Sequence, residues 1–424
     1  MAIKNPIILL SLVLSIAASC TGPKRILKYD PSIYPQPVDT RTRTITFQTK
    51  KTYSFASGVF FDNQFDGARL NRVTSVNDTA YTVLITPENE PINYSPYYAF
   101  KVWKNTPGTI TVRLTYPPKY HHRYVPKMSS DGMKWHPIDS LNYTVSADTN
   151  SALLRVFIPR NDTIWIAAQE LKTSKMTAQW VQQKAKNPRV SVQKIGKSTL
   201  GRPLWFMNIG TPDDAHKDII VVLTRQHPPE VSGHLAFDAF IDEMLVENRR
   251  NEDFFKQYQL WVFPMMNPDG VDLGHWRHNA GGIDLNRDWA YYHQPETRGV
   301  TRFIINRAKK KKTNVVLGLD FHSTQHDIYY TFPDSLDRKL RYFNHYWIQG
   351  IDESLPPYPS VTEPYDINSP ISKAWFLLQF GAESITFEIG DETPRDFIQM
   401  KGRNAARELT KLLINNSNRC KRVK

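Results

Sequence analysis

The spacing of apolar residues changes once along this chain, near Leu171, and that change constrains the fold more than any other feature. Between Arg41 and Ala168 the apolar residues come in short alternating runs, such as Thr44–Gln48, Ala80–Ile85, Tyr98–Val102, Ile110–Leu114 and Ala152–Ile158. Val, Ile, Thr, Tyr and Phe fill these runs, and Pro, Asn, Asp and Gly separate them. A period of two over short segments predicts strands with one buried face, and many such strands in series predict an antiparallel β-sandwich. After Leu171 the period lengthens. Thr177–Ala185, Leu235–Asn248 and Val300–Lys312 read as helices, while Asp218–Leu223 is a largely apolar run and Leu260–Pro264, Val315–Phe321 and Ser384–Glu388 read as further buried strands. Such runs suit strands buried on both faces, and their alternation with helices predicts an α/β fold with a central mixed sheet flanked by helices. The chain has 424 residues, beyond the ~250–300 that one core usually serves, so two units are expected. The sequence divides as 1–19 leader, 21–170 β-sandwich, 171–416 α/β unit and 417–424 basic tail.

The leader has its own chemistry. Lys4 precedes an apolar stretch from Pro6 to Ala18 that is too short to cross a bilayer, which needs ~20 apolar residues. It ends Ala17-Ala18-Ser19-Cys20, which resembles the box at which bacterial lipoproteins are cut and lipidated. The expectation is an exported protein held by a lipid anchor at Cys20 to a membrane of the bacterial envelope, facing the periplasm or the cell surface. A Cys20–Cys420 bridge is the competing use of the two cysteines. Two cysteines make neither a disulfide framework nor a cysteine-based zinc site, so a metal here needs His and carboxylates. Lys and Arg outnumber Asp and Glu by 54 to 41, which permits an anionic partner without choosing one. The Lys309–Lys312 cluster has no interleaved aromatics and reads as a solvated helix end, so no nucleic-acid partner is expected.

Two groups stand at strand ends, where α/β proteins place their sites. His227-Pro228-Pro229-Glu230 closely follows Asp218–Leu223, and His322 ends the run from Val315. Two His and one Glu form a three-ligand set that leaves a fourth zinc position open, the catalytic rather than the structural arrangement. Alone, His322 reads as a hydrogen-bonded core histidine. It does not stand alone. Asn267-Pro268-Asp269-Gly270, Arg277, the block Gly282-Ile283-Asp284-Leu285-Asn286-Arg287-Asp288-Trp289 and Thr386-Phe387-Glu388 complete a constellation.

This constellation resembles the zinc carboxypeptidases of the M14 family, over about Asn187 to the C-terminal helix. Phe65-Asp66-Gly67-Ala68-Arg69-Leu70, Tyr81, Tyr97-Tyr98-Ala99-Phe100 and Trp135 resemble the β-sandwich of the cytosolic-carboxypeptidase type within that family. The resemblance implies that His227, Glu230 and His322 hold one zinc ion per chain. It implies that Glu388 moves the proton from the attacking water to the leaving amine, and that Arg277 stabilises the oxyanion. Asn286 and Arg287 would clamp the free carboxylate of the chain end, since a planar guanidinium binds a carboxylate bidentately. Tyr365 is the candidate for the tyrosine that covers the bound end, with Tyr358 as fallback. Lys373 falls on the segment lining the pocket for the terminal side chain, where it would favour Glu or Asp or else snorkel to solvent. Asp320, two residues before His322, can share its face of a strand and orient it. The expected activity is hydrolysis of the C-terminal peptide bond of peptides or proteins. Murein peptides are a second substrate class within reach of an exported enzyme, and an inert glycan- or peptide-binding lipoprotein is the reading outside catalysis.

Overall fold

The computed structural model describes residues 38–210, 216–365 and 367–422. The leader and Cys20 lie outside these residues. Among them, strands β1 (Thr52–Ser54), β2 (Val59–Asp62), β3 (Arg72–Asn77), β4 (Ala80–Leu84), β5 (Ala99–Lys104), β6 (Gly108–Thr115), β7 (Lys127–Ser129), β8 (His136–Pro137), β9 (Tyr143–Val145), β10 (Ser151–Ile158) and β11 (Thr163–Ala167) form two sheets. Their orders are β1-β2-β5-β11-β7-β8 and β3-β4-β6-β10-β9. The two sheets share one core, in which Phe61 and Val102 of one face Val83, Val112 and Leu154 of the other. β6 shows the cause: Ile110, Val112 and Leu114 are fully buried and their neighbours are not, so one face of the strand is apolar. The sandwich departs from the expected pattern at one pairing, since β4 runs parallel to β6.

A second departure concerns Thr44–Gln48, which forms no strand and belongs to no sheet. Its polar groups are tied elsewhere: the Arg43 amide donates to the Gly281 carbonyl, and the Gln48 side chain donates to the Ala68 and Leu273 carbonyls. The segment is a strap between the two halves of the chain. Alternation alone does not separate a strap from a strand.

The second half contains α1 (Ser174–Lys184), β12 (Val190–Lys197), β13 (Pro203–Ile209), β14 (Asp218–Thr224), α2 (Val231–Met244), α3 (Arg249–Phe255), β15 (Tyr258–Phe263), α4 (Pro268–Leu273), α5 (Pro295–Lys311), β16 (Val315–Thr324), β17 (Asp327–Thr331), α6 (Phe343–Glu353), β18 (Ser360–Pro364), α7 (Ser372–Phe380), β19 (Glu383–Gly390) and α8 (Arg395–Arg422). α8 runs on to Arg422, through the segment expected to be a tail. The sheet has the order β12-β13-β15-β14-β16-β19-β17-β18. β15, β14, β16 and β19 are mutually parallel at its centre; β12 and β13 pair antiparallel on one side, and on the other β17 pairs antiparallel with β19 and parallel with β18. Helices cover both faces. Ile220 and Val222 of β14 pack with α2, α6 and α8, while Ile219, Val221 and Leu223 pack with α5 and α7. All five are fully buried, and burying each such side chain contributes about 1.5–3 kcal/mol, so the floor beneath the site is rigid.

The helix expected over Leu235–Asn248 begins at Val231 and ends at Met244. Pro228 and Pro229 fix the backbone entering it. Asn248 then caps α3, its side chain accepting from the Asn251 amide. The two halves meet along a charged seam: Arg123 pairs with Asp391 at 2.8 Å, Lys127 with Glu392 at 2.7 Å and Arg395 with Glu170 at 2.6 Å. Among the described residues no helix is long and apolar enough to cross a membrane.

Candidate active site

Three neighbouring strands deliver the site. His227 follows the carboxyl end of β14, while His322 and Glu388 lie in register on the parallel pair β16 and β19. Glu230 is the residue before α2. What brings it to His322 is Gly233, in the first turn of α2. A Cβ there would lie 2.0 Å from the His322 carbonyl oxygen, so only glycine lets the helix rest on the strand.

The result is a compact donor set. The Glu230 carboxylate bridges both imidazoles, with Oε1 2.7 Å from His227 Nδ1 and Oε2 2.7 Å from His322 Nδ1. One ligand atom from each of the three lies within 4.8 Å of the others, and all three residues are buried. The opposite ring nitrogens are held by carboxylates: His227 Nε2 lies 2.9 Å from Asp284 Oδ1, and His322 Nε2 lies 2.9 Å from Asp320 Oδ2. Each aspartate therefore fixes a ring with its Nδ1 lone pair turned towards the other ligands. Two neutral imidazoles and one carboxylate fit a zinc ion, and the bracing aspartates complete the fit. Asp320 is itself held by Gln226 Nε2 at 2.6 Å and by the Ser372 hydroxyl.

Asp284 also ties the ligands to the next group. Its Oδ2 accepts from Arg277 Nε at 2.7 Å, and its Oδ1 accepts from the Asn286 amide at 2.8 Å. That second bond caps the tight turn Leu285–Arg287. Asn286 is oriented by its Oδ1, which accepts from the Ser372 amide. Arg277, Asn286 and Arg287 line one cavity of about 300 Å³ together with His227, Glu230, His322 and Glu388.

The electrostatics follow from burial. Burial pushes the Glu388 carboxyl up to about 8; His322 and Arg277 draw it down, and the like charges of Glu230 and Asp320 push it further up. Its Oε2 is buried and has no hydrogen-bond partner among the described residues. A cation among the three ligands would lower this carboxyl, leaving a base suited to neutral pH. Burial also works against the charge on Glu230, but His227 and His322 hold that carboxyl well below its usual range. Arg277 is raised: burial opposes its charge, and Asp284 more than compensates.

The two softer candidates part company. Tyr365 lines the cavity and is exposed, with its ring edge-on to Tyr330 at 5.3 Å. Tyr358 lies away from it, its ring stacked on Phe397 at 4.4 Å. Lys373 does not line the cavity. Its side chain is fully buried, with Nζ donating to the carbonyls of Thr331 at 2.7 Å and Tyr365 at 3.0 Å and lying 4.0 Å from the centre of the Phe332 ring. It neither snorkels to solvent nor reaches a bound side chain directly.

Several residues at the site carry no role in the sequence reading. Asp284 stands inside the quoted block, where its place between Arg277 and Asn286 was the available signal. Arg123, Tyr94 and Ser95 line the same cavity from the sandwich. Arg123 reaches it through its pair with Asp391, and through hydrogen bonds to the Tyr94 carbonyl and the Ser95 hydroxyl. No local pattern announces them, because they lie more than a hundred residues from the ligands in sequence.

The chain is similar to known proteins in sequence and in fold. The zinc carboxypeptidase family model, M14, matches residues 177–398, just over half the chain. Human cytosolic carboxypeptidase 6 is 30% identical over 139 residues, which cover 31% of this chain and 27% of that protein. Mouse cytosolic carboxypeptidase 3 is 25% identical over 316 residues, covering 68% of this chain and 30% of that protein. The chain thus spans less than a third of the length of these relatives. A metallo-carboxypeptidase from Burkholderia cenocepacia has a similar structure, with a TM-score of 0.69 at 18% identity, covering 83% of this chain and 99% of that one. A metallo-carboxypeptidase from Pseudomonas aeruginosa, solved in complex with (2-guanidinoethylmercapto)succinic acid, gives 0.68 at 18% identity, covering 83% of this chain and 98% of that one. At that identity the two structures speak for the fold. With the family model spanning more than half of the chain, His227, His322 and Glu388 included, the chain belongs to the M14 zinc carboxypeptidase family.

Proposed function

We propose that this protein is a zinc-dependent carboxypeptidase that releases single residues from the C-termini of peptides or proteins. The observation that carries the reading is the buried Oε2 of Glu388, without a hydrogen-bond partner among the described residues, in one cavity with the His227–Glu230–His322 set and three arginines. Zinc, when bound there, supplies Lewis acidity to the scissile carbonyl and acidity to a water. Glu388 accepts the proton of the attacking water and returns it to the leaving amine. Arg277, held by Asp284, donates to the oxygen on which negative charge develops. Arg287 and Asn286 bind the terminal carboxylate, which confines the reaction to chain ends. Tyr365 closes over the bound end and excludes water.

An acidic terminal residue is the preferred substrate in this proposal. Arg123, Arg277 and Arg287 line the cavity, and an acidic side chain there would meet their positive charge. The protein is further proposed to be exported and lipid-anchored at Cys20, where murein peptides share its compartment.

The test is amino-acid release from purified protein, with peptides ending in Glu, Asp, Leu, Phe, Lys or Arg and a murein peptide beside them. Expected are about one zinc per chain, chelator-sensitive release and a preference for Glu or Asp. Glu388→Gln should cut the rate ~10²–10⁴-fold with zinc content unchanged. Release from the murein peptide alone would move the substrate to the cell wall. Zinc-free protein with no release from any of them would leave a binding lipoprotein.

A further inference from the structure

Glu88 lies in the sandwich half, after β4, and is fully buried. Its carboxylate accepts three consecutive backbone amides of the other half: Trp276 on Oε2 at 2.8 Å, and Arg277 and His278 on Oε1 at 3.0 and 2.7 Å. Successive amides pointing at one anion form a cradle of the kind that binds free anions. Here a side chain from the neighbouring half fills it.

Other sandwich residues grip the same turn. The indole of Trp276 is buried in the sandwich core, 4.9 Å from the Tyr120 ring, and its Nε1 donates to the Tyr97 carbonyl. Asn89 spans the turn, its Oδ1 2.7 Å from His278 Nδ1 and its Nδ2 donating to the Gly282 carbonyl at 3.0 Å. Arg69 lies near Glu88, its guanidinium donating to the Thr86 carbonyl. The gripped turn carries Arg277, whose Nε binds Asp284, whose other oxygen holds His227. An unbroken series of contacts runs from Glu88 to a metal ligand.

We infer that Glu88 is a positioning residue for the reaction, setting the backbone of Arg277 so that its guanidinium stands beside the metal ligands; the sandwich is then a structural part of the active site. The inference rests on the carboxypeptidase reading for its kinetic consequences but not for its structural ones. Charge-assisted bonds buried from water are strong, and glutamine in place of Glu88 removes the charge and turns one acceptor oxygen into a donor that faces a backbone amide. The turn then relaxes, and a displacement of ~1 Å at a group that stabilises the transition state can cost ~10²-fold in rate.

The test compares wild type, Glu88→Gln and the milder Asn89→Ala in the full-length protein, each with and without Arg277→Ala. Two readouts are taken: kinetics of terminal-residue release, and amide hydrogen exchange at residues 276–278. For Glu88→Gln we expect kcat to fall about 10–100-fold with KM within about twofold, and zinc content to be unchanged. Asn89→Ala should show a smaller fall of the same kind. Either change should cost little further once Arg277 is alanine, and exchange should quicken at 276–278 in both. A purely structural fastener would instead lower the melting temperature and cut activity equally with Arg277 present or absent. That additivity, or unchanged exchange at 276–278, overturns the inference. If Glu88→Gln does not fold, Asn89→Ala decides by the same two criteria. If wild type releases nothing, the carboxypeptidase reading fails by itself, while the exchange readout still judges whether Glu88 holds the turn.

Discussion

Two aspartates do the same job at different places. Asp320 sits two residues before His322 on one strand and holds its Nε2; Asp284 comes from a distant turn and holds that of His227. The strand period places Asp320 on the face of its histidine, so its role follows from sequence. Asp284 meets His227 only because the chain folds back. Asp284 bears the heavier load, since it also holds Arg277 and caps the Leu285–Arg287 turn. Replacing it with asparagine keeps the shape but removes the charge. Asp284→Asn should therefore weaken zinc binding about 10–100-fold, read by competition with a chromophoric chelator. Unchanged affinity would mean that His227 needs no carboxylate behind it.

At the scale of elements, the site depends on how closely α2 approaches β16. The first turn of α2 carries Glu230 at its mouth and Gly233 against the His322 backbone, where a Cβ would meet backbone atoms that cannot yield. Gly233→Ala should force helix and strand apart, separate Glu230 from His322 and abolish stoichiometric zinc. Gly299 in α5 is the control, because its Cβ would meet a leucine methyl of Leu204 at 3.3 Å, a neighbour that can give. There the gain in helix propensity, up to about 1 kcal/mol, makes Gly299→Ala neutral or mildly stabilising. Metal content and thermal melting of the two variants distinguish them, and equal zinc in both would disprove the close-approach argument.

The whole molecule is joined by a seam that is polar at its rim and buried at its centre. Arg123–Asp391, Lys127–Glu392 and Arg395–Glu170 line it, and His275 sits within it, nearly inaccessible. Burial lowers the His275 imidazole to about 4, although the Glu88 charge opposes the shift. An imidazole depressed on folding stays neutral in the native state while the unfolded chain protonates near 6.5. Its contribution to stability is complete above about 6.5 and is lost as pH falls towards 4, by on the order of 3 kcal/mol. Urea unfolding of wild type and His275→Gln between pH 7.5 and 4 should show the wild type losing stability faster over that interval. Parallel curves would mean that His275 is solvated in the folded state.

Much of this protein is written in its local sequence. The change of period at Leu171 separates the two kinds of sheet, because alternating and continuous apolar runs bury one face or two. The strand-end positions of His227, His322 and Glu388 follow from those same runs, as does the proximity of Asp320. Long-range decisions are not local, and the tertiary structure made them. The segment around Thr44–Gln48 became a strap because its partners are the Gly281, Ala68 and Leu273 carbonyls, which only folding brings near. The ammonium of Lys373 turned to the carbonyls of Thr331 and Tyr365 because a buried charge needs partners more than it needs a substrate. Asp284, Arg123 and Glu88 entered the site through contacts between distant parts of the chain. Periodicity determines which face of an element is buried. Which distant side chains then meet across the seam is decided by how the elements pack and by the need of every buried polar group for a partner.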